Sequence, residues 1–146
     1  MATDTTTSED IDYSLEEQVG FMLRIASQRH AAIFQSNIVG KLTPTQFSTL
    51  IRLAEVGRAS QNHLGRLAAM DVATIKGVVD RLRAKGLIQS TPDLVDKRRS
   101  IITLSEKGAA FVNDLKQAGL HITEKTLAPL SAKEQTTFLK LLRKMS

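Results

Sequence analysis

Helix-start signals punctuate this sequence six times, and their spacing limits the chain to a set of short and medium helices. Ser14 with Glu17, Thr43 with Gln46 and Ser131 with Glu134 each have the form of a capping box. In that motif the hydroxyl accepts from the third backbone amide and the longer side chain reaches back to the first. Pro44, directly after Thr43, suits the first helical position, where no amide hydrogen is needed. Ser60, Asp71 and Ser105 are further N-cap residues. The helices so marked run over roughly 14–37, 44–56, 60–67, 71–85, 105–125 and 131–145.

Between Gly86 and Gly108 the period changes. Leu87 to Ser90 and Ile101 to Leu104 are short runs, the second rich in β-branched residues, and a polar stretch from Thr91 to Ser100 joins them. This pattern predicts a β-hairpin with a long basic tip, carrying Lys97, Arg98 and Arg99, on an otherwise helical protein. Pro92, Leu94 and Val95 are expected to pack that loop. The first helix carries Leu15, Val19, Met22, Ala26, His30 and Ile33 on one stripe, with Phe21, Ile25 and Ala32 on a second. The last repeats the theme with Phe138, Leu141, Leu142 and Met145. Such surplus apolar surface at both ends predicts mutual packing plus packing against a second chain.

Composition narrows the function. At 146 residues, 42% of them apolar, the chain suits one compact domain. It has no cysteine, which excludes disulfides, thiol switches and cysteine-ligated zinc. No apolar run is long enough to span a membrane and the N-terminus lacks the pattern of a signal peptide, so a cytoplasmic protein is expected. The net charge of +5 hides a division. Six of the fifteen acids (Asp4, Glu9, Asp10, Asp12, Glu16, Glu17) lie in the first seventeen residues, which hold no base. The rest of the chain carries twenty bases against nine acids, a balance that suits an anionic partner such as nucleic acid. Residues 1–12 have almost nothing to bury and read as a disordered acidic leader. The six aromatic residues are too scattered to form a stacking platform for single strands.

Residues 60–85 read as a short helix, a tight connection and a longer helix, the plan of a helix-turn-helix. Leu64 and Leu67 supply the first buried face; Val72, Ile75, Val79 and Leu82 supply the second. The opposite face of the longer helix then presents Ala73, Thr74, Lys76, Gly77, Asp80, Arg81 and Lys85. Thr74 and Lys76 lie early enough to reach base edges, and Arg81 lies where a phosphate contact is expected. With the basic hairpin following, the unit is a winged helix.

Several short stretches, taken in order, make a resemblance specific. They are Leu42 to Phe47, Thr74 to Leu82, Lys85 to Ile88, Asp96 to Arg98 and Leu104 to Gly108. In sequence and spacing this series resembles the MarR family of bacterial transcription regulators. The resemblance implies a mainly α fold with a small β-hairpin wing. Residues 13–40 and 105–146 would be dimerisation helices around a winged helix-turn-helix DNA-binding lobe at 41–104. It implies a homodimer in which each recognition helix reads half of a palindromic operator in double-stranded DNA. The wing would place Arg98 in the minor groove, braced by Asp96, with Arg99 a substitute or a phosphate contact. Candidate DNA contacts are therefore Ser60, Gln61, Thr74, Lys76, Arg81, Lys97, Arg98 and Arg99. The chain departs from the family pattern at Ser90 and Thr91, and again at Gly77, where many relatives carry Arg. The operator sequence therefore does not carry over.

Family members are often released from DNA by a small aromatic acid. In this chain Arg24 resembles a position that binds such acids, and His30, on the apolar stripe, suits a ring substituent. An aromatic or heteroaromatic carboxylic acid is the expected effector. The two residues are six apart, about 120° around an ideal helix, so one pocket uses both only by wrapping the helix or by enlisting a second subunit. A surface ion pair for Arg24 and a satisfied buried histidine are the plain alternatives. No cofactor or metal is implied, and neither a His-Glu-x-x-His nor a Gly-x-Ser-x-Gly motif is present, so an enzyme is not expected. The competing reading is a sequence-tolerant architectural DNA-binding protein that needs no effector.

Overall fold

The computed structural model describes residues 9–146, which form six α-helices and a three-stranded antiparallel sheet. The helices are α1 (Val19–Asn37), α2 (Pro44–Val56), α3 (Gln61–Leu67), α4 (Val72–Ala84), α5 (Glu106–Leu127) and α6 (Ala132–Met145). The strands are β1 (Arg58–Ser60), β2 (Ile88–Pro92) and β3 (Ser100–Leu104). Residues 1–8 of the acidic leader lie outside the described residues, and residues 9–14 are exposed and without regular structure.

Five of the six helix starts form as their residues dictate. The Thr43–Gln46 and Ser131–Glu134 boxes close reciprocally, and Ser60, Asp71 and Ser105 each accept from the backbone amide three residues on. Ser14 is the exception: its side chain caps nothing, and Leu15–Glu17 make only a short 3-10 turn before the chain restarts as α1. The helix is interrupted at Gln18, whose backbone is extended and whose side chain donates to the Ser14 carbonyl, where a continuous helix was expected.

The sheet has the order β1-β3-β2. The hairpin pairs Ile88 with Leu104 and runs out to Pro92 opposite Ser100, where proline is tolerated because β2 is an edge strand. A third strand was not expected. Arg58, Ala59 and Ser60 pair with Thr103, Ile102 and Ile101, which ties the start of α3 directly to the stem of the wing. Three residues carry too little pattern to announce a strand; β3 makes them one.

Leu50, Leu53, Leu64, Ile75, Val79, Leu82, Ile102 and Leu115 are fully buried and join α2, α3, α4, β3 and α5 into one core. Four positions expected to be covered are not. Val72 lies on the apolar face by periodicity but is 68% exposed, because at the first position of α4 no element reaches far enough to cover it; Val78 is buried instead. Pro92, Leu94 and Val95 do not pack the wing loop: Pro92 is exposed, and Leu94 and Val95 are 94% and 95% exposed at its tip.

The motifs flanking the hairpin meet in space. Gly86 ends α4 with a φ of 74°, a conformation that costs glycine nothing. Ser105 donates from its hydroxyl to the Gly86 carbonyl at 2.6 Å and from its amide to the Leu87 carbonyl at 3.0 Å. Gly108 packs directly on that Leu87 carbonyl, where any side chain would collide with it. Gly86, Leu87, Ser105 and Gly108 thus form one joint holding the lobe to α5.

Candidate nucleic-acid interface and effector cavity

The candidate DNA-binding side of the lobe is built from α3, α4 and the wing. Ser60 caps α3 and also belongs to β1, so its position is set by both helix and sheet. A polar groove of about 260 Å³ is lined by Ser60, Gln61, Asn62, Arg98, Arg99 and Ser100. Four of the sequence-derived candidates, Ser60, Gln61, Arg98 and Arg99, therefore converge although nearly forty positions separate them in the chain. Lys97 lies on a different groove of the wing, with Arg58 and Thr103.

At the tip, Asp96 shapes the turn. Its carboxylate accepts from the Arg98 amide at 3.1 Å and from Arg98 Nε at 3.1 Å. These bonds from Arg98 hold the Asp96 carboxyl below the usual carboxylate range. The Arg98 side chain remains 91% exposed, so the pair leaves the guanidinium facing outward.

Along α4, the Asp71 carboxylate accepts the Thr74 amide at 2.7 Å, and that bond lowers its pKa. Thr74, Lys76 and Arg81 are all exposed, as expected. Lys76 pairs with Asp80 at 3.6 Å, with side chains 69% and 52% exposed. So open a pair holds less than about 1 kcal/mol and leaves Lys76 available to a stronger anion. Arg81 has no ion-pair partner among the described residues.

The sequence reading missed Arg83. Its guanidinium bonds Asp80 at 3.2 Å and the Ser90 hydroxyl at 2.6 Å, linking α4 to the wing stem. Ser90, where the resemblance would have Arg, is thus the acceptor that joins α4 to the hairpin. No periodicity signals such a bond, because seven residues and a change of secondary structure separate its ends.

A second feature lies where α1 meets α5 and α6. Leu23, Ala26, Ser27, His30, Thr123, Thr126, Leu127, Phe138, Leu139 and Leu142 line an apolar cavity of about 350 Å³. His30 Nδ1 lies 2.8 Å from the Thr126 hydroxyl, a polar point on a wall that also carries Ser27 and Thr123. Next to it, Arg29 donates to the Thr126 and Lys125 carbonyls at 2.7 and 3.0 Å, satisfying the C-terminal end of α5. Arg24 is not brought to this cavity. Its guanidinium lies 5.6 Å from the Phe21 ring, so within one chain the two effector candidates are apart.

Comparison with known proteins decides the family. Residues 42–100 match the model of the MarR family. The chain is 43% identical to the HTH-type transcriptional repressor NicR of Pseudomonas putida over 138 residues, 94% of this chain and 87% of that protein. The chain belongs to the MarR family. A probable transcriptional regulator from Pseudomonas aeruginosa superposes with a TM-score of 0.88 at 49% identity, covering 91% of this chain and all of that one. BpsR of Bordetella bronchiseptica, whose DNA binding is regulated by 6-hydroxynicotinic acid, gives 0.86 at 39% identity over 92% and 97% of the two chains. The winged-helix fold is that of the MarR regulators, and the chain is a MarR-type transcriptional repressor rather than an enzyme. Among the described residues no helix is long and apolar enough to cross a membrane.

Proposed function

We propose that this MarR-type repressor binds a palindromic operator as a cytoplasmic homodimer and is released by an aromatic or heteroaromatic carboxylic acid. Residues 41–104 are the DNA-binding lobe, and the helices within 13–40 and 105–146 form the dimer. The convergence of Ser60 and Gln61 with Arg98 and Arg99 on one groove carries the DNA reading. It sets a helix-turn-helix and a minor-groove probe side by side, with Thr74, Lys76 and Arg81 exposed on the adjoining helix. Two copies are favoured by the apolar surface left open on the terminal helices. Val19, Met22, Leu23, Ile25, Leu120, Phe138, Leu141 and Met145 are each more than 40% exposed, and no residue of α6 is buried.

The cavity at His30 supports the effector reading. Apolar walls accept a ring, the imidazole bonds a ring substituent, and Arg24 of the second subunit is the candidate to meet the carboxylate. Likeness to BpsR makes a hydroxylated pyridine carboxylate the first acid to try. Release requires that the acid bind better to a form whose recognition helices are wrongly spaced.

A gel-shift titration on the promoter region next to the gene tests the reading. Specific competitor should displace the protein at far lower concentration than scrambled duplex, and 6-hydroxynicotinate or a related acid should release it. Equal displacement by both duplexes would leave the architectural alternative in its place.

A further inference from the structure

The tip of the wing offers an apolar pair that the protein does not use. Leu94 and Val95 are 94% and 95% exposed, more than any other large apolar residue of the described chain. The other well-exposed apolar residues lie mostly on or before the terminal helices, where a second copy of the chain covers them on the reading above. Leu94 and Val95 instead lie at the turn of the β2–β3 hairpin, within five residues of Lys97, Arg98 and Arg99.

The turn is ordered by its own hydrogen bonds. The Asp93 carboxylate accepts from the Val95 amide at 3.0 Å, and the Asp93 amide donates to the Arg99 carbonyl at 2.9 Å. The Arg99 amide donates to the Asp96 carbonyl at 3.0 Å, and the Asp96 carboxylate holds the Arg98 amide. Two aspartate turns therefore bracket the apolar pair and present it in a fixed place. Exposing two aliphatic side chains in water is unfavourable, and closing the turn in advance removes much of the ordering cost of a contact.

We propose that Leu94 and Val95 form an apolar element of DNA recognition: they enter the minor groove beside Arg98 and press against its sugar walls and a base step. The neighbouring cations choose this occupant, because the surface that covers the pair must also be polyanionic. The minor groove is such a surface, with apolar deoxyribose faces between two phosphate rows. Wedging there bends the duplex toward the major groove, so each wing selects a deformable step that it does not read by hydrogen bonds. This rests on the DNA-binding reading above and adds a source of specificity to it.

The test compares the full-length wild type with a Leu94→Ser/Val95→Ser double variant. Neither side chain supports the core, so the variant should keep the wild-type melting temperature and oligomeric state. On the same duplex its affinity should fall about tenfold, the order expected from losing partial burial of two aliphatic groups. The salt slope of log K should not change, since no cation is lost. Bending measured by energy transfer between duplex ends should decrease. Equal affinity and equal bending in the two proteins would overturn the inference. So would wild-type binding to phosphatidylglycerol vesicles that the variant loses, or dissociation of the variant into monomers, because either would assign the tip another occupant. The outcome is separable from the regulator reading, which is tested by specific against scrambled duplex with the wild type. A wild type that binds no duplex overturns both.

Discussion

At the residue scale, the division of labour on the wing follows from what each group can do in water. Asp96 spends its carboxylate on the loop and on one side of Arg98, and the rest of the guanidinium stays exposed. Arg98→Ala should weaken operator binding and lower the salt slope of log K by about one unit, measured by titrations at several salt concentrations. An unchanged slope would remove Arg98 from the DNA contacts. Asp71 contributes a pH dependence. Its bond to the Thr74 amide lowers its pKa in the folded state, so the stability it adds is present above the ordinary carboxylate range, about 4. That contribution is lost as the pH falls through the lowered value. Asp71→Asn keeps the cap without the charge, so denaturant unfolding of the two proteins should differ near neutral pH and converge in acid.

Elements show where local signals suffice and where they fail. Five cap residues mark their helices because a capping bond spans three residues and needs nothing else. Ser14 with Glu17 has the same letters and yields a 3-10 turn: the Ser14 side chain caps nothing, and its carbonyl accepts from the Glu17 amide and the Gln18 side chain. Strand β1 exists only because β3 is beside it, and Arg83 meets Ser90 only because the hairpin folds back along α4. The Ser131 cap is a purely local prediction: Ser131→Ala should cost about 1 kcal/mol of stability in thermal unfolding.

For the whole molecule, the apolar faces of α1 and α6 are the largest unfilled requirement. Replacing Leu141 and Met145 together by Lys should yield a monomer in analytical ultracentrifugation, and operator affinity should fall with the loss of the second half-site. The effector cavity is tested by its own pair of variants. His30→Ala should retain DNA binding but need a higher acid concentration for release. If Arg24→Ala is released as readily as the wild type, the carboxylate contact belongs to another residue.

The sequence by itself determined the helices, the hairpin, the basic wing and the family, because these depend on contacts within a few residues or on an ordered series of short motifs. It also placed Thr74, Lys76 and Arg81 on the open face of α4 from period alone. Only the tertiary structure decided which apolar residues are covered. Val72, Leu94 and Val95 have the composition of core residues and lie in water, because burial depends on whether another element reaches them. It also decided that Arg24 and His30 are apart in one chain while Ser60 and Arg98 are together. Helical period fixes an angle around one axis; a shared site needs the placement of two.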